Sequence, residues 1–147
     1  MKANELMVGD WVKIKTYGIS DKFERTEAYI YVKVAEIGSA LITVEYNNEI
    51  KEPYRICENT EIEPIPLTTE ILEENGFEDI GDDTYQLEEK PCWFWVDFFR
   101  HNYGCEYDTS TYEYEDDEHR LKLYGIPSVH ELQHALRLCG IEKTIEL

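Results

Sequence analysis

The run from Cys92 to Phe99, C-W-F-W-V-D-F-F, is the most hydrophobic stretch of the chain and constrains the fold more than any other. On a β-strand its side chains alternate between a face with Trp93, Trp95, Asp97 and Phe99 and a face with Phe94, Val96 and Phe98. Both faces of such a strand need cover. The run therefore predicts a central strand, with a helix over one face and the N-terminal half of the chain over the other.

Asp97 is the one charged residue in this run. A carboxylate between aromatic side chains must be paired or lie near an edge. We expect it at the end of the strand, where it meets solvent or a backbone amide. The alternative is a carboxyl with a raised pKa, which would make Asp97 a candidate site residue.

The segment from Ser128 to Leu147 holds the clearest helix. Apolar residues recur at steps of three and four, which predicts one buried stripe formed by Val129, Leu132, Leu136 and Cys139, flanked by Ala135 and Leu138. The order Ser128-x-x-Glu131 predicts a capping box, and Gly140 is placed to end the helix. At about 100° per residue, His130, His134 and Arg137 are expected on the opposite face, in solvent.

The same helix contains His130-Glu131-Leu132-Gln133-His134, an H-E-x-x-H pentad of the kind that binds zinc in metalloproteases. A catalytic zinc needs a third protein ligand, and the sequence after His134 does not continue as H-x-x-G-x-x-H. Since Glu131 already has a role in the helix cap, we expect no catalytic residue, no metal and no cofactor. A zinc-dependent hydrolase stays as the third hypothesis.

The chain is strongly acidic, with a formal net charge of −18 over 147 residues. Residues 68–127 contain 17 acidic and four basic residues. Clustered Lys or Arg, which contact with a nucleic-acid backbone requires, is not visible, so we expect no direct nucleic-acid binding, and a basic partner is favoured. No apolar run is long enough for a membrane span. Four widely spaced cysteines without a C-x-x-C pair predict a cytoplasmic protein with reduced thiols.

Residues 6–66 show the short alternating segments and turn signals of a small closed barrel. The opening V-G-D-W-V-K-I, followed by a strand–turn–strand pair, resembles the start of a Src-homology-3-like or Tudor-like barrel. That resemblance implies exposed aromatic residues that bind peptides or modified side chains, with Trp11, Tyr29, Tyr31 and Tyr54 as candidate binding residues. Packing within the sheet is the alternative role of these rings.

Pro66-Leu67 marks the predicted boundary between a barrel-like domain, 1–67, and an α+β domain, 68–147. In the second domain we predict a short helix at Thr69–Glu74 capped by Thr68, a strand at Thr84–Glu88 and a turn at Asn102–Gly104. A hairpin is expected with strands at 110–115 and 119–124. The fold class predicted is α+β, mostly β: a barrel followed by an antiparallel sheet packed by two helices.

Three segments, G-D-W-V near the start, E-P-I-P-L-T-T-E-I-L-E-E-N-G-F from Glu63 to Phe77, and V-H-E-L-Q-H-A-L near the end, together resemble a family of small bacterial proteins of gut anaerobes, their phages and mobile elements. The resemblance implies the order β segment, short helix, antiparallel sheet, terminal helix. It implies no activity. It also implies that the positions of Glu131 and His134 vary in residue type.

The leading functional hypothesis is a non-enzymatic cytoplasmic accessory protein that binds another protein, since nearly every notable residue has a packing or capping role. The second hypothesis is an acidic mimic of nucleic acid that blocks a DNA-binding factor, because the charge is concentrated in residues 68–127.

Overall fold

The structure is a computed structural model that describes residues 5–19, 25–39, 41–46, 54–58, 61–90, 92–107 and 120–147. The chain divides into two compact units, Met1–Ile65 and Pro66–Leu147. The predicted fold class is confirmed, because a nearly closed barrel of five strands is followed by a second antiparallel sheet and two helices.

The first unit contains the strands β1 (Trp11–Ile19), β2 (Arg25–Ile37), β3 (Leu41–Tyr46), β4 (Tyr54–Glu58) and β5 (Ile62–Glu63). They are antiparallel neighbours in the order β4-β3-β2-β1-β5. Alternate residues point inward, so that a buried core forms from Val12, Ile14, Val32, Val34, Ile42, Val44, Cys57 and Ile62. The strands β1 and β2 pair over their whole common length, from Trp11 opposite Lys33 to Ile19 opposite Arg25.

The second unit contains α1 (Thr69–Glu74), β6 (Glu78–Gly81), β7 (Thr84–Glu89), β8 (Cys92–Asp97), β9 (Asn102–Tyr107), β10 (Arg120–Tyr124) and α2 (Val129–Leu138). The strand order β10-β9-β8-β7-β6 places β8 in the centre, as its alternation predicts. The predicted turn at 102–104 is wrong, because Asn102 begins β9 and pairs with Tyr124. The predicted partner strand at 110–115 lies outside the described residues.

One face of the second sheet is covered by the two helices and the segments that follow them. Phe94 is fully buried on this face, and the ring of Phe77, which follows α1, packs edge-to-face on it at 6.4 Å between centroids. The buried side of α2 consists largely of the predicted stripe. Asn75 connects α1 to the last residues, because its amide donates to the Ile71 and Glu146 carbonyls at 2.8 and 2.9 Å and accepts from the Glu146 N–H at 2.8 Å.

The first turn of α2 differs from the prediction. The Ser128 N–H and hydroxyl donate to one oxygen of the Glu131 carboxylate at 2.7 and 2.8 Å, so the predicted pairing of Ser128 with Glu131 at this cap is confirmed. His130 was expected in solvent, but it is 5% exposed, and its Nδ1 lies 2.8 Å from the Ser128 hydroxyl oxygen. An isolated bridge between Pro66 and Ser128 places the incoming chain beside this turn, which helical periodicity does not reveal. Leu138, expected beside the buried stripe, is exposed.

No helix in the described part of the chain combines the length and the apolar character that a membrane crossing requires.

Candidate functional site

The face of the second sheet that carries Trp93 and Trp95 holds an open groove of about 660 Å³. We call it the sheet groove. All its lining residues come from β6 to β10 and the short connections at their ends, and the central ones are Gln86, Trp93, Trp95, Asp97, Asn102 and Lys122. Both indole rings are partly exposed, in contrast to Phe94 between them. The alternation of β8 therefore separates a buried core face from an accessible aromatic face.

Gly104 shapes the floor of the groove. This residue of β9 lies opposite Trp95 of β8 on one side and opposite Lys122 of β10 on the other. A Cβ atom at this position would lie 3.0 Å from Cη2 of Trp95 and 1.9 Å from the main-chain oxygen of Leu121. Only a glycine allows the indole ring and the neighbouring strand to approach so closely, which is a known reason for glycine within a strand.

Asp97 lies at the end of β8 and is fixed by Arg100. One carboxylate oxygen accepts from the Arg100 N–H at 2.7 Å, and the other accepts from the guanidinium at 3.0 Å. Burial pulls the pKa of Asp97 upward, but the hydrogen bonds from Arg100 and its positive charge outweigh this effect and hold the pKa below its ordinary value. The expected strand-end position with a backbone amide is confirmed, and the alternative of a raised pKa is wrong.

Two neutral amides flank the tryptophans. Asn102 is 4% exposed, lies opposite Asp97, and its Oδ1 accepts from the Trp95 indole N–H at 3.2 Å. Gln86 lies opposite Trp95 on β7 and is partly exposed. The groove thus combines aromatic rings with hydrogen-bonding groups at defined positions, which is the usual composition of a binding site.

The rim of the groove is mainly acidic. Glu78 pairs with Gln86, and Glu88 and Glu106 pair with Trp93, so their side chains lie on the groove face of the sheet. Asp82 joins them in the turn between β6 and β7. Two described cations line the groove: Arg100, which binds Asp97, and Lys122, whose Nζ lies 5.6 Å from the centroid of the Tyr124 ring.

Of the four candidate aromatic residues of the barrel, the three whose side chains the structure describes differ in their exposure. Trp11 is 1% exposed and offers no accessible ring, although it shares a strand face with Lys13. Tyr29 and Tyr31 are 44% and 52% exposed. Tyr29 lies against the Lys13 ammonium, 4.7 Å from its ring centroid, and that ammonium also binds Glu63 at 3.3 Å. The side chain of Tyr54 lies outside the described residues.

In the H-E-x-x-H pentad, the Glu131 carboxylate is hydrogen-bonded to Ser128 at the helix cap. Burial by itself raises the pKa of Glu131. The two hydrogen bonds from Ser128 and the nearby His130 and His134 outweigh this effect, so that the pKa lies below its ordinary value. The two imidazole rings stand edge-to-face at 5.8 Å between centroids. Among the residues that the structure describes, no group of three or more His, Cys, Asp or Glu side chains could hold a metal ion.

Three thiols gather at the end of α2. Cys92, Cys105 and Cys139 are buried, and Cys105 lies close enough to the other two to affect the pKa of each. Burial, with Cys105 nearby, raises the pKa of Cys92 to about 12 and moves the pKa of Cys139 in the same direction. These thiols are therefore poor nucleophiles at neutral pH and behave as small core residues.

Comparisons with protein-family models, with curated proteins and with solved structures find no match for this chain. The Trp93-x-Trp95-x-Asp97 alternation was a visible signal for the aromatic part of the sheet groove. Gln86 and Asn102 were missed, because their positions depend on pairing between strands that are distant in sequence.

Proposed function

We propose that this protein is a non-catalytic binding module that takes a basic segment of a partner protein into the sheet groove. The observation that carries the proposal is the pair of partly exposed indole rings, Trp93 and Trp95, in a groove with an acidic rim. Tryptophan is enriched among the residues that dominate protein–protein binding energy, and it contributes most where a surrounding rim excludes water.

Binding rather than catalysis is favoured because Asp97 and Thr84, the candidate base and the candidate nucleophile of the groove, already form hydrogen bonds within the chain. The Asp97 carboxylate is bound at both oxygens by Arg100, and a lowered pKa makes it a poor general base. The Thr84 hydroxyl donates to the main-chain oxygen of Asp82 at 3.4 Å. A nucleophile would instead need a basic group within hydrogen-bond reach.

A basic segment is favoured by charge. The second unit contains 20 acidic and six basic residues. On the groove face, the carboxylates of Glu78, Glu88 and Glu106 surround indole rings that also attract cations through their π faces. A Lys or Arg side chain over Trp93 could contact a ring and a carboxylate at once. Such a surface also accelerates the encounter with a basic partner at low salt.

The test is titration of the full chain with a ten-residue peptide that alternates lysine and serine, followed by intrinsic tryptophan fluorescence and calorimetry. A peptide that alternates glutamate and serine is the control ligand. We expect binding of the basic peptide only, weakened at least about tenfold in Trp93→Leu, which keeps an apolar side chain but removes the indole. Tyr31→Leu, an exposed aromatic of the barrel, is the matched control and should bind normally.

Equal affinity of Trp93→Leu and the unmodified chain would refute the groove as the binding site. Equal affinity for the acidic and basic peptides would refute the charge argument. The hypothesis of a nucleic-acid mimic depends on the acidic segment 68–127, of which residues 91 and 108–119 lie outside the described residues, and it stays a prediction.

A further inference from the structure

The amide group of Asn102 is buried at the groove with its donors unused. The side chain is 4% exposed, and its Oδ1 is held by the Trp95 indole N–H at 3.2 Å, which fixes the orientation of the amide plane. Among the described residues, none accepts a hydrogen bond from its Nδ2. A buried donor without an acceptor costs free energy, so such a group in a groove indicates that a ligand supplies the acceptor.

Two further groups on the same face have no bonded partner within the described part of the chain. The Trp93 indole N–H has no acceptor there, and the Gln86 amide has neither donor nor acceptor. Gln86 lies two strands from Asn102 and two residues along the sheet. With about 4.8 Å between strands and about 3.4 Å per residue, the two amides are roughly 12 Å apart, close to the length of three to four residues of extended chain.

We propose that the sheet groove reads the main chain of its partner: the Asn102 Nδ2–H group donates to a carbonyl of an extended segment, and the Gln86 amide pairs with the main chain three to four residues further along. This rests on the proposed binding of a basic segment. Carbonyl oxygens repeat regularly along an extended chain, so such contacts supply affinity without reading the order of side chains. The acidic rim then selects for positive charge, and the amides select for an extended backbone.

Asn102→Asp separates the hydrogen bond of the amide from the effect of charge, because the substitution changes affinity in opposite directions through the two. The aspartate keeps the shape of the side chain and the acceptor for Trp95, and it has no donor once ionised; because burial and the neighbouring Asp97 raise its pKa, binding is compared at about pH 9. It also adds one negative charge to the groove, which by itself would strengthen binding of a basic peptide. We expect the lysine–serine peptide to bind about tenfold more weakly to this variant.

Two variants serve as controls. Asp82→Asn removes a charge from the groove without touching Asn102, and we expect a loss of about twofold to threefold that disappears in high salt. Glu74→Gln removes a charge on α1, outside the groove, and binding should stay within about twofold of the unmodified chain. A peptide with the same composition in scrambled order should also bind within about threefold, because main-chain contacts do not depend on side-chain order.

The second readout is the ¹⁵N–¹H spectrum of side-chain amides. On addition of the peptide, the Asn102 Nδ2 protons should shift downfield as they gain an acceptor, whereas the amide of Asn75, which is already bonded to Ile71 and Glu146, should not move. An unchanged Asn102 signal, or equal or tighter binding by Asn102→Asp while Trp93→Leu still loses affinity, overturns main-chain reading and leaves the proposed function standing. Absence of peptide binding by the unmodified chain overturns both. A neutral oligosaccharide that shifts the Asn102 signal at lower concentration than the peptide also overturns the inference.

Discussion

Substitution of Gly104 by alanine tests the close approach of β9 and β10 on which the groove depends. An added methyl carbon would lie 1.9 Å from the Leu121 main-chain oxygen, whereas such carbon and oxygen atoms normally stay about 3.3 Å apart. The strand β10 must therefore move by more than about 1 Å, which is enough to lengthen hydrogen bonds beyond a useful distance.

The cost can be worked from this displacement. Overpacking by one methyl group costs about 1 to 3 kcal/mol where the neighbours can yield only partly. The five residue pairs that join β9 to β10 are disturbed at their centre, since Gly104 pairs with Lys122. Loss of the two nearest hydrogen bonds adds about 2 kcal/mol. We expect Gly104→Ala to lower the free energy of unfolding of the second unit by about 3 to 5 kcal/mol.

Native-state hydrogen exchange is the suitable assay, because it reports on each unit separately. The amides of β9 and β10 should lose protection by this amount, and those of β1 to β3 should not. Gly140→Ala is the control: its φ of 72° strains an alanine, but no atom lies within 4 Å of the new Cβ, so it should cost only about 1 kcal/mol. Equal protection in the two variants would refute the steric argument.

Three other predictions follow from the second unit. Because Arg100 lowers the folded pKa of Asp97, the stability it contributes is complete above about pH 4 and is lost as the pH falls through that lowered pKa. Asp97→Asn should flatten the acid limb of urea midpoints measured against pH, and unchanged curvature would contradict this. Asn75→Ala removes three hydrogen bonds and should cost about 2 to 4 kcal/mol, with faster amide exchange at Glu146 as the measurement; an unaltered rate there would count against it. Cys92 is buried and its pKa is raised to about 12, so at about pH 8 it should react with iodoacetamide far more slowly in the native protein than in urea; equal rates, measured by mass spectrometry of the modified peptide, would contradict this.

Local patterns predicted the elements whose determinants are adjacent in sequence. The central position of β8 follows from the alternation in residues 92–97, and both helices follow from their capping residues and apolar spacing. The burial of His130 could not be predicted from helical periodicity, and the bridge between Pro66 and Ser128 beside it joins residues 62 positions apart in the printed sequence.

In the groove, too, some residues could be predicted from local sequence and others could not. Its tryptophans are visible in the sequence, but Asn102 acquires a role only because β9 and β8 pair in a register that sets it opposite Asp97. The same limit applies to Trp11, whose burial on a strand face shared with Lys13 has no local signature.

Since β8 supplies both the buried core and the exposed groove face from alternate positions, a shift of the whole strand by one residue, which an insertion or deletion beside it would force, would exchange the two sets: indoles would turn toward the helices and phenylalanine toward water. Variation in this region is thus restricted to replacing side chains at constant spacing. Such replacements change the chemistry of the groove, but the distance between the two indoles stays fixed by the pleat of the strand.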